Sequence, residues 1–482
     1  MLDDRCFMKL SGFSAIAHFL AFLVLIFTLA GPLPLMADGT GSVEQRLSRL
    51  EQMQQPLSAP SINSGDNAWM LVSTALVLMM TAPGLILFYG GLVRNKNVLS
   101  TMMHSLVLMG IVSALWMLFG YSMAFAPGNA FAGNPFTYFM LRGVDGTPNS
   151  DYAATVPQET FMLFQMMFAI ITPALISGAV AGRIKFKGYV LFTTLWVIVV
   201  YFPLCHMVWG KGGYFNWALG GKIPVLDFAG GTVVHISSGV SALICAIMLG
   251  KRAGYLQAPI LPHSVVLSLT GTGLLWVGWF GFNAGSALTA GVLATSAFAA
   301  THFSASAGAL SWGLMEWWRK GKPSVLGVAA GMVAGLATIT PASGFVTIPA
   351  AFCIGLAAGV VCYFAVTSLK AHFKYDDSLD VFGVHGVGSA TGMLMLGFLA
   401  SPAINPAIAS TFQVDGAVQS LAGGVGQFLN QAIGVVFTAT FAGVSTIILF
   451  KLVDLLVGMR VDEEAEYTGL DLTEHGESAY SE

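Results

Sequence analysis

Charge is what this sequence has least of. Asp, Glu, Lys and Arg make up 9% of its 482 residues, and hydrophobic residues reach 55%, where soluble domains carry roughly 25% charge. That shortage excludes a water-soluble globular domain and leaves a polytopic membrane protein. Cysteine is scarce as well. Cys6, Cys205, Cys245, Cys353 and Cys362 stand singly, without a CxxC or CxxCH arrangement, and four of them fall in apolar segments. That spacing gives no sign of a disulfide framework, a cysteine metal cluster or covalently attached haem, and small apolar filler is the reading it favours. No basic patch marks a nucleic-acid partner. The net charge of −3 is confined to short loops and a tail, so the placement of charge carries more than its sum.

What is abundant is long apolar runs. The first follows Arg5 and Lys9 and ends before "MADGTGS", which predicts a cleaved signal peptide over 1–37, with an uncleaved anchor left open by the length of the run. Residues 38–66 form an external N-terminal segment in which Val43, Leu47, Leu50, Met53 and Leu57 recur at helical spacing, enough for one short amphipathic helix. The transmembrane domain is expected over 67–460. It contains eleven apolar segments, 67–92, 98–126, 159–182, 188–208, 228–250, 263–282, 288–316, 324–340, 345–369, 380–401 and 422–458, each close to the ~20 residues that span a bilayer. The tail is 461–482.

Basic residues orient these spans, because cytoplasmic loops are rich in Lys and Arg. Alternate connections hold fourteen of them, from Arg94 and Lys96 to Lys451 and Arg460, and the other connections hold only Arg142, Lys211 and Lys222. The mature N-terminus is therefore expected outside and the C-terminus in the cytoplasm, in a cell (inner) membrane.

Two histidines fall inside spans. "DFAGGTVVHISSG" begins at Asp227 and places His235 in the fifth span; "DVFGVHGVGS" begins at Asp380 and places His385 in the tenth. Two blocks of five spans must lie upside down relative to one another, and such inverted repeats put a substrate site near the midplane at their interface. An ionisable residue inside a span is a functional candidate because facing lipid is costly. Both histidines sit among small residues that let helices approach closely, so they are expected to face a protein-lined pathway.

Aromatics form a second constellation: Phe164 and Phe168 in "FMLFQMMFAIITP", Trp209 in "CHMVWGKGG", and Trp279, Phe282 and Ser286 in "WVGWFGFNAGSA". An isolated Trp209 near a span end reads as an interfacial anchor. Combined with the Ser286 hydroxyl, aromatic faces would bind a small cation.

"ALVLMMTAPGLILFYGGLVRNKNVLS", "HMVWGKGG", "DFAGGTVVH", "GWFGFNAGSA", "ITPASG" and "DVFGVHG" follow in this order, and together they resemble the ammonium transporter (Amt/MEP/Rh) family, in its bacterial Amt branch. The resemblance runs from about Asn67 to the C-terminus. It implies an all-α protomer of eleven spans with a five-plus-five inverted repeat, assembled as a homotrimer with one hydrophobic pore per protomer and no cofactor or metal. It also implies that Trp209, Phe168 and Ser286 form an outer ammonium site supported by Asp227, that Phe168 and Phe282 stack as a gate, and that His235 and His385 line the pore with Trp279. Thr340 matches a polar residue near the lower pore. Ammonium, with methylammonium as a related substrate, is the implied cargo. A PII-class regulator is an implied partner of the tail, whose "GLDLTEHGESAY" resembles the family's ordered cytoplasmic segment that contacts a neighbouring protomer. Two departures stand out: Gly182 replaces the usual acidic residue before Arg183, and Lys211 places a cation close to Trp209.

Two other function classes are weighed against transport. A sensor would bind ammonium and signal through its tail without flux. A bis-histidine haem protein would use His235 and His385 as axial ligands, but neither a second histidine pair nor a rim of arginines for propionates accompanies them.

Overall fold

A computed structural model describes residues 61–480 apart from Ala258, Asp415 and Gly416. The expected signal peptide, almost all of the segment 38–66, and Cys6 lie outside the described residues.

Hydrocarbon offers no hydrogen bonds to a backbone, so a chain this apolar must satisfy its peptide groups within helices. Eleven helical spans result, with limits within about four residues of those expected: α1 Ser64–Leu92, α2 Asn95–Phe125, α3 Gln158–Val180, α4 Phe186–Trp209, α5 Gly231–Leu249, α6 Val265–Gly285, α7 Val292–Lys320, α8 Val325–Ile339, α9 Ile348–Phe373, α10 Phe382–Leu399 and α11 Val425–Val457. Among the described residues, nine of these are long and apolar enough to cross a membrane on length and composition alone. The other two are α8, at 15 residues, and α7, which carries Thr295, Thr301, His302 and Glu316. The strand pairing among the described residues is confined to a two-residue antiparallel ladder, β1 Gln413–Val414 with β2 Ala417–Val418, and isolated bridges in the connections.

The inverted repeat is visible where α5 meets α10. Each opens with a wide π-type turn, Gly231–Ile236 in one and Phe382–Gly386 in the other, and each turn carries one of the histidines. The two helices cross so closely that a Cβ on Gly239 would lie 2.4 Å from the Gly386 amide nitrogen. Around this crossing, α3 and α11 pack on α5, α6 packs on α1, and α7 packs on both α8 and α9.

After α11 the chain folds back along one end of the bundle as α12 Glu463–Thr468 and α13 Leu470–His475. Its acidic side chains meet the starts of other helices. Asp471 accepts from the Ser100 N–H in the first turn of α2 (2.8 Å), and Glu474 from the Phe186 N–H that begins α4 (2.8 Å). Those are orphan donors at positive helix ends, which carboxylates satisfy twice over, by hydrogen bond and by charge. Glu466 bridges Arg460 (2.5 Å) and the Ala253 N–H (2.8 Å). The Lys96 ammonium donates to the Tyr467 carbonyl.

Gly182 has a structural reason. Its φ is +81°, a left-handed backbone that side chains rarely adopt. Beside it Arg183 is fully buried and donates to the Gly250 carbonyl (2.8 Å), the Ser378 hydroxyl (2.7 Å) and the Asp376 carbonyl (2.5 Å). The tail end of the bundle is thus tied together without an acid at position 182.

Candidate functional site

Three cavities follow one another from the end opposite the tail toward the tail. The first is a vestibule of about 220 Å³ lined by Phe168, Trp209, Ser286, Gln165, Asp151 and Tyr152 among others. Trp209 ends α4, and its indole N–H donates to the Asp227 carbonyl (2.9 Å), which fixes the ring. Ser286 caps the end of α6 and donates back to the Phe282 carbonyl (2.8 Å); its oxygen retains acceptor capacity. Lys211 does not stand as a free cation at this mouth. Its ammonium sits 2.8 Å from Asp151, and its N–H donates to the Tyr152 hydroxyl (3.0 Å).

Asp227 is buried and does not line the vestibule. One oxygen accepts from the N–H groups of Gly230 (2.8 Å) and Gly231 (2.7 Å), the other from the Thr232 N–H (2.7 Å) and the Thr232 hydroxyl. Its side chain therefore caps the turn that carries His235, while its carbonyl holds Trp209.

The floor of the vestibule is a pair of rings. Phe168 and Phe282 stack with centroids 4.1 Å apart, and Trp209 meets Phe168 edge-on at 6.0 Å. Both phenylalanines are buried, at 1% and 0% exposure, so the first and second cavities are separated by aromatic carbon.

Beneath them lies a cavity of about 10 Å³ lined by Phe282, Trp279, His235, His385 and aliphatic side chains such as Leu275 and Val333, close to the smallest volume that holds one water. The two Nδ1 atoms are 3.2 Å apart, with ring planes at 13°. One ring must donate and the other accept, so the pair holds complementary tautomers. The Nε2 of His235 is buried without a partner among the described residues, an acceptor or donor according to the tautomer. Trp279 stacks 5.5 Å from His235 and donates its N–H to the Thr340 hydroxyl (2.9 Å). Thr340 thus lies behind Trp279 and holds its ring; it lines none of the three cavities. A haem fits nowhere here: the imidazole nitrogens bond each other, and the space beside them is smaller than a macrocycle by far.

His385 also lines the third cavity, of about 300 Å³, which widens toward the tail between Tyr89, Val384, Glu316, Ser324 and Asp380. Its acids are compensated: Glu316 pairs with Lys320 (2.9 Å) and Asp380 with Lys370 (2.6 Å).

The sequence pattern pointed to Asp380 as the counterpart of Asp227, and the geometry points to Asp377 instead. Asp227 precedes His235 by eight residues, and Asp377 precedes His385 by eight. Asp377 accepts from the N–H five positions on, Phe382 (2.8 Å), as Asp227 does from Thr232. Burial pushes the Asp377 carboxyl up to about 6. Two vestibule residues were also missed. Gln165 lies one helical turn before Phe168, with its Oε1 buried and unpartnered among the described residues; Asp151 neutralises Lys211. The equal spacing of eight was the available signal for Asp377, and the i, i+3 relation to Phe168 was the one for Gln165.

Comparison with known proteins gives a consistent result. The profile of the Ammonium Transporter Family matches residues 68–480. An ammonium transporter of Bacillus subtilis is 46% identical over 418 residues, covering 87% of this chain and 99% of its own. Among solved structures, Mep2 of Candida albicans superposes with a TM-score of 0.76 at 33% identity, over 87% of this chain and 91% of its own. A structure described as a sensor Amt protein superposes with a TM-score of 0.76 at 27% identity, over 85% and 98%.

Proposed function

The chain belongs to the ammonium transporter family, and on that premise we propose that it moves ammonium across a cell (inner) membrane through the three cavities in file. The observation that carries this is the file the cavities form: Phe168 floors the vestibule and stacks on Phe282 of the small cavity's wall, and the small cavity shares His385 with the tail-side cavity.

Potassium and ammonium have the same charge and similar size, so an attractive field alone would not separate them. Ammonium donates hydrogen bonds and can lose a proton; potassium can do neither. In this reading Trp209 and Phe168 offer ring faces to the cation, and Ser286 accepts one of its N–H groups. Passage beneath Phe168 and Phe282 strips water, which penalises any ion far more than neutral ammonia. Ammonia then meets the polar side chains that line the small cavity among the described residues, the imidazoles of His235 and His385 and the indole of Trp279. The proton left behind crosses separately through the histidine pair and transient water, so net ammonium transport is electrogenic. Asp227 and Thr340 act as positioning residues, through Trp209 and His235 in one case and Trp279 in the other. Methylammonium is a related substrate by the same chemistry.

The mature N-terminus lies outside and the tail in the cytoplasm, as the basic residues argue. The protein works as a homotrimer. α7 supports this, because His302 and Thr295 are exposed on it in the span, where lipid would penalise them and a second copy would not. The ordered tail offers a PII-class protein a surface beside the third cavity. A sensor reading keeps the same site but removes the flux; the docked tail favours it as a second possibility. Purified protein in liposomes separates the two: an inward ammonium gradient should evoke a current that saturates with ammonium and is absent with potassium. Tight ammonium binding with no flux would overturn transport in favour of sensing.

A further inference from the structure

α11 stands outside the five-plus-five repeat, yet two of its side chains reach the backbone that holds the vestibule. Gln427 and Gln431 lie one turn apart near its start and are 4% and 0% exposed. A buried amide is costly unless its donors and acceptors are all partnered, and those of Gln431 are. Its Oε1 accepts from the Leu226 N–H (2.8 Å) and from the Gln427 amide (3.0 Å). Its Nε2 donates to the Leu226 carbonyl (2.7 Å) and lies 3.7 Å from the Met393 sulfur of α10. Gln427 donates in addition to the Pro224 carbonyl (3.0 Å), so the orientation of the Gln431 amide is fixed from one side by its neighbour.

The residues so held belong to the non-helical stretch that leads into α5. Irregular backbone buried in a membrane protein needs a partner for each peptide group, and here the partners come from four directions. The Val225 N–H donates to the Phe215 carbonyl (3.1 Å), Leu226 pairs with Gln431 through both its N–H and its C=O, and the Phe228 N–H donates to the Pro341 carbonyl (3.0 Å). Between Leu226 and Phe228 stands the Asp227 carbonyl, which accepts from the Trp209 indole (2.9 Å). Gln431 therefore anchors the chain just before that carbonyl, and Pro341 anchors it just after.

Resting on the reading of Trp209 as the recruiting ring, we propose that Gln431, oriented by Gln427, is a positioning residue for ammonium recruitment: it clamps Leu226 and so aims the Asp227 carbonyl at the Trp209 indole. The turn that carries His235 does not depend on this clamp, because the Asp227 carboxylate holds it through its own bonds to Gly230, Gly231 and Thr232. Loss of Gln431 thus acts on the concentration of ammonium needed for half-saturation and spares both the maximal current and the discrimination against potassium. A glutamine that only packed would change stability and leave half-saturation alone.

The test compares ammonium-evoked currents of the full chain in liposomes for wild type, Gln431→Leu, Trp209→Leu and the double variant. Gln427→Leu, which keeps both Leu226 bonds and removes only the group that orients Gln431, serves where Gln431→Leu does not fold. Gln431→Leu should raise half-saturation about threefold at unchanged maximal current, less than the loss of the ring itself. In the Trp209→Leu background it should add nothing, because the group it acts through is gone. An unchanged half-saturation in Gln431→Leu, or an effect that multiplies with that of Trp209→Leu, would overturn the proposal. A second readout does not depend on transport: in protein labelled with fluorotryptophan, the Trp209 fluorine resonance, assigned by its loss in Trp209→Leu, should shift in Gln431→Leu and in Gln427→Leu. A resonance unmoved in both would overturn the clamp. Should Trp209→Leu itself leave half-saturation unchanged, the recruitment reading fails, and the fluorine resonance still decides whether Gln431 positions the ring.

Discussion

Two aspartates, each eight residues ahead of one of the paired histidines, are held differently. Asp227 has both oxygens engaged, whereas Asp377 keeps a buried oxygen without a partner among the described residues. Burial raises its pKa to about 6, with Lys370, Asp380 and a backbone N–H as further influences; Tyr89, Tyr375 and Arg183 also sense its charge. An acid with a raised folded pKa holds its proton more tightly folded than unfolded, so its ionised form destabilises the fold above about pH 6, and the penalty fades as pH falls toward 4. Asp377→Asn keeps an acceptor for Phe382 and removes that penalty. Its melting temperature should exceed that of wild type at pH 8, by a margin that shrinks at pH 5; a deficit that is the same at both pH values would contradict this. At the vestibule, Trp209→Leu removes a ring face worth about 1 kcal/mol to a cation, so half-saturation for ammonium should rise about fivefold. An unchanged concentration dependence would place recruitment elsewhere.

Among the elements, the spans were legible because apolar length is set by bilayer thickness and little else. Even α7 and α8, too polar or too short to pass the stricter test of length and hydropathy, were counted among the eleven apolar segments. The pairing of α5 with α10 was legible from Asp and His recurring ahead of small residues. The capping partner was not: Asp380 and Asp377 lie three residues apart, and only the backbone path of the turn decides which carboxylate reaches the Phe382 N–H. Thr340 shows the same limit. A threonine ending α8 is compatible with lining a pore or with holding an indole, and the choice depends on where Trp279 points. The tail was legible as a segment but not as a set of caps on α2 and α4, because those contacts join residues more than 280 positions apart. Asp471→Ala with Glu474→Ala leaves two helix starts uncapped, each worth about 1 kcal/mol. Proteolysis should then release residues 461–482 faster, and transport should fall while membrane insertion is retained. Wild-type transport in that variant, or in one lacking 461–482, would reduce the tail to an appendage.

For the whole molecule, an odd number of spans per repeat puts the two histidine-bearing turns on opposed helices that meet at one crossing, and the cavity lined by both histidines exists only where both halves are present. The proposed orientation in the membrane rests on the basic residues at the tail end. Reporter fusions after Arg94, Arg252 and Arg460 should report cytoplasm and fusions near Asn149 the opposite side; a reversed pair would break the assignment. The central claim is that His235 and His385 form the polar relay of a dry pore rather than packing in its wall. It is tested most directly by ammonium-evoked and potassium-evoked currents in liposomes containing wild type, His235→Ala or His385→Ala at matched protein levels. Removing one ring strands its partner, a loss of about 1 to 3 kcal/mol where the substrate passes, so each variant should lose about fivefold or more of its ammonium current, or its discrimination against potassium, while remaining folded. Wild-type ammonium currents and wild-type ammonium-to-potassium ratios in both variants would contradict the account.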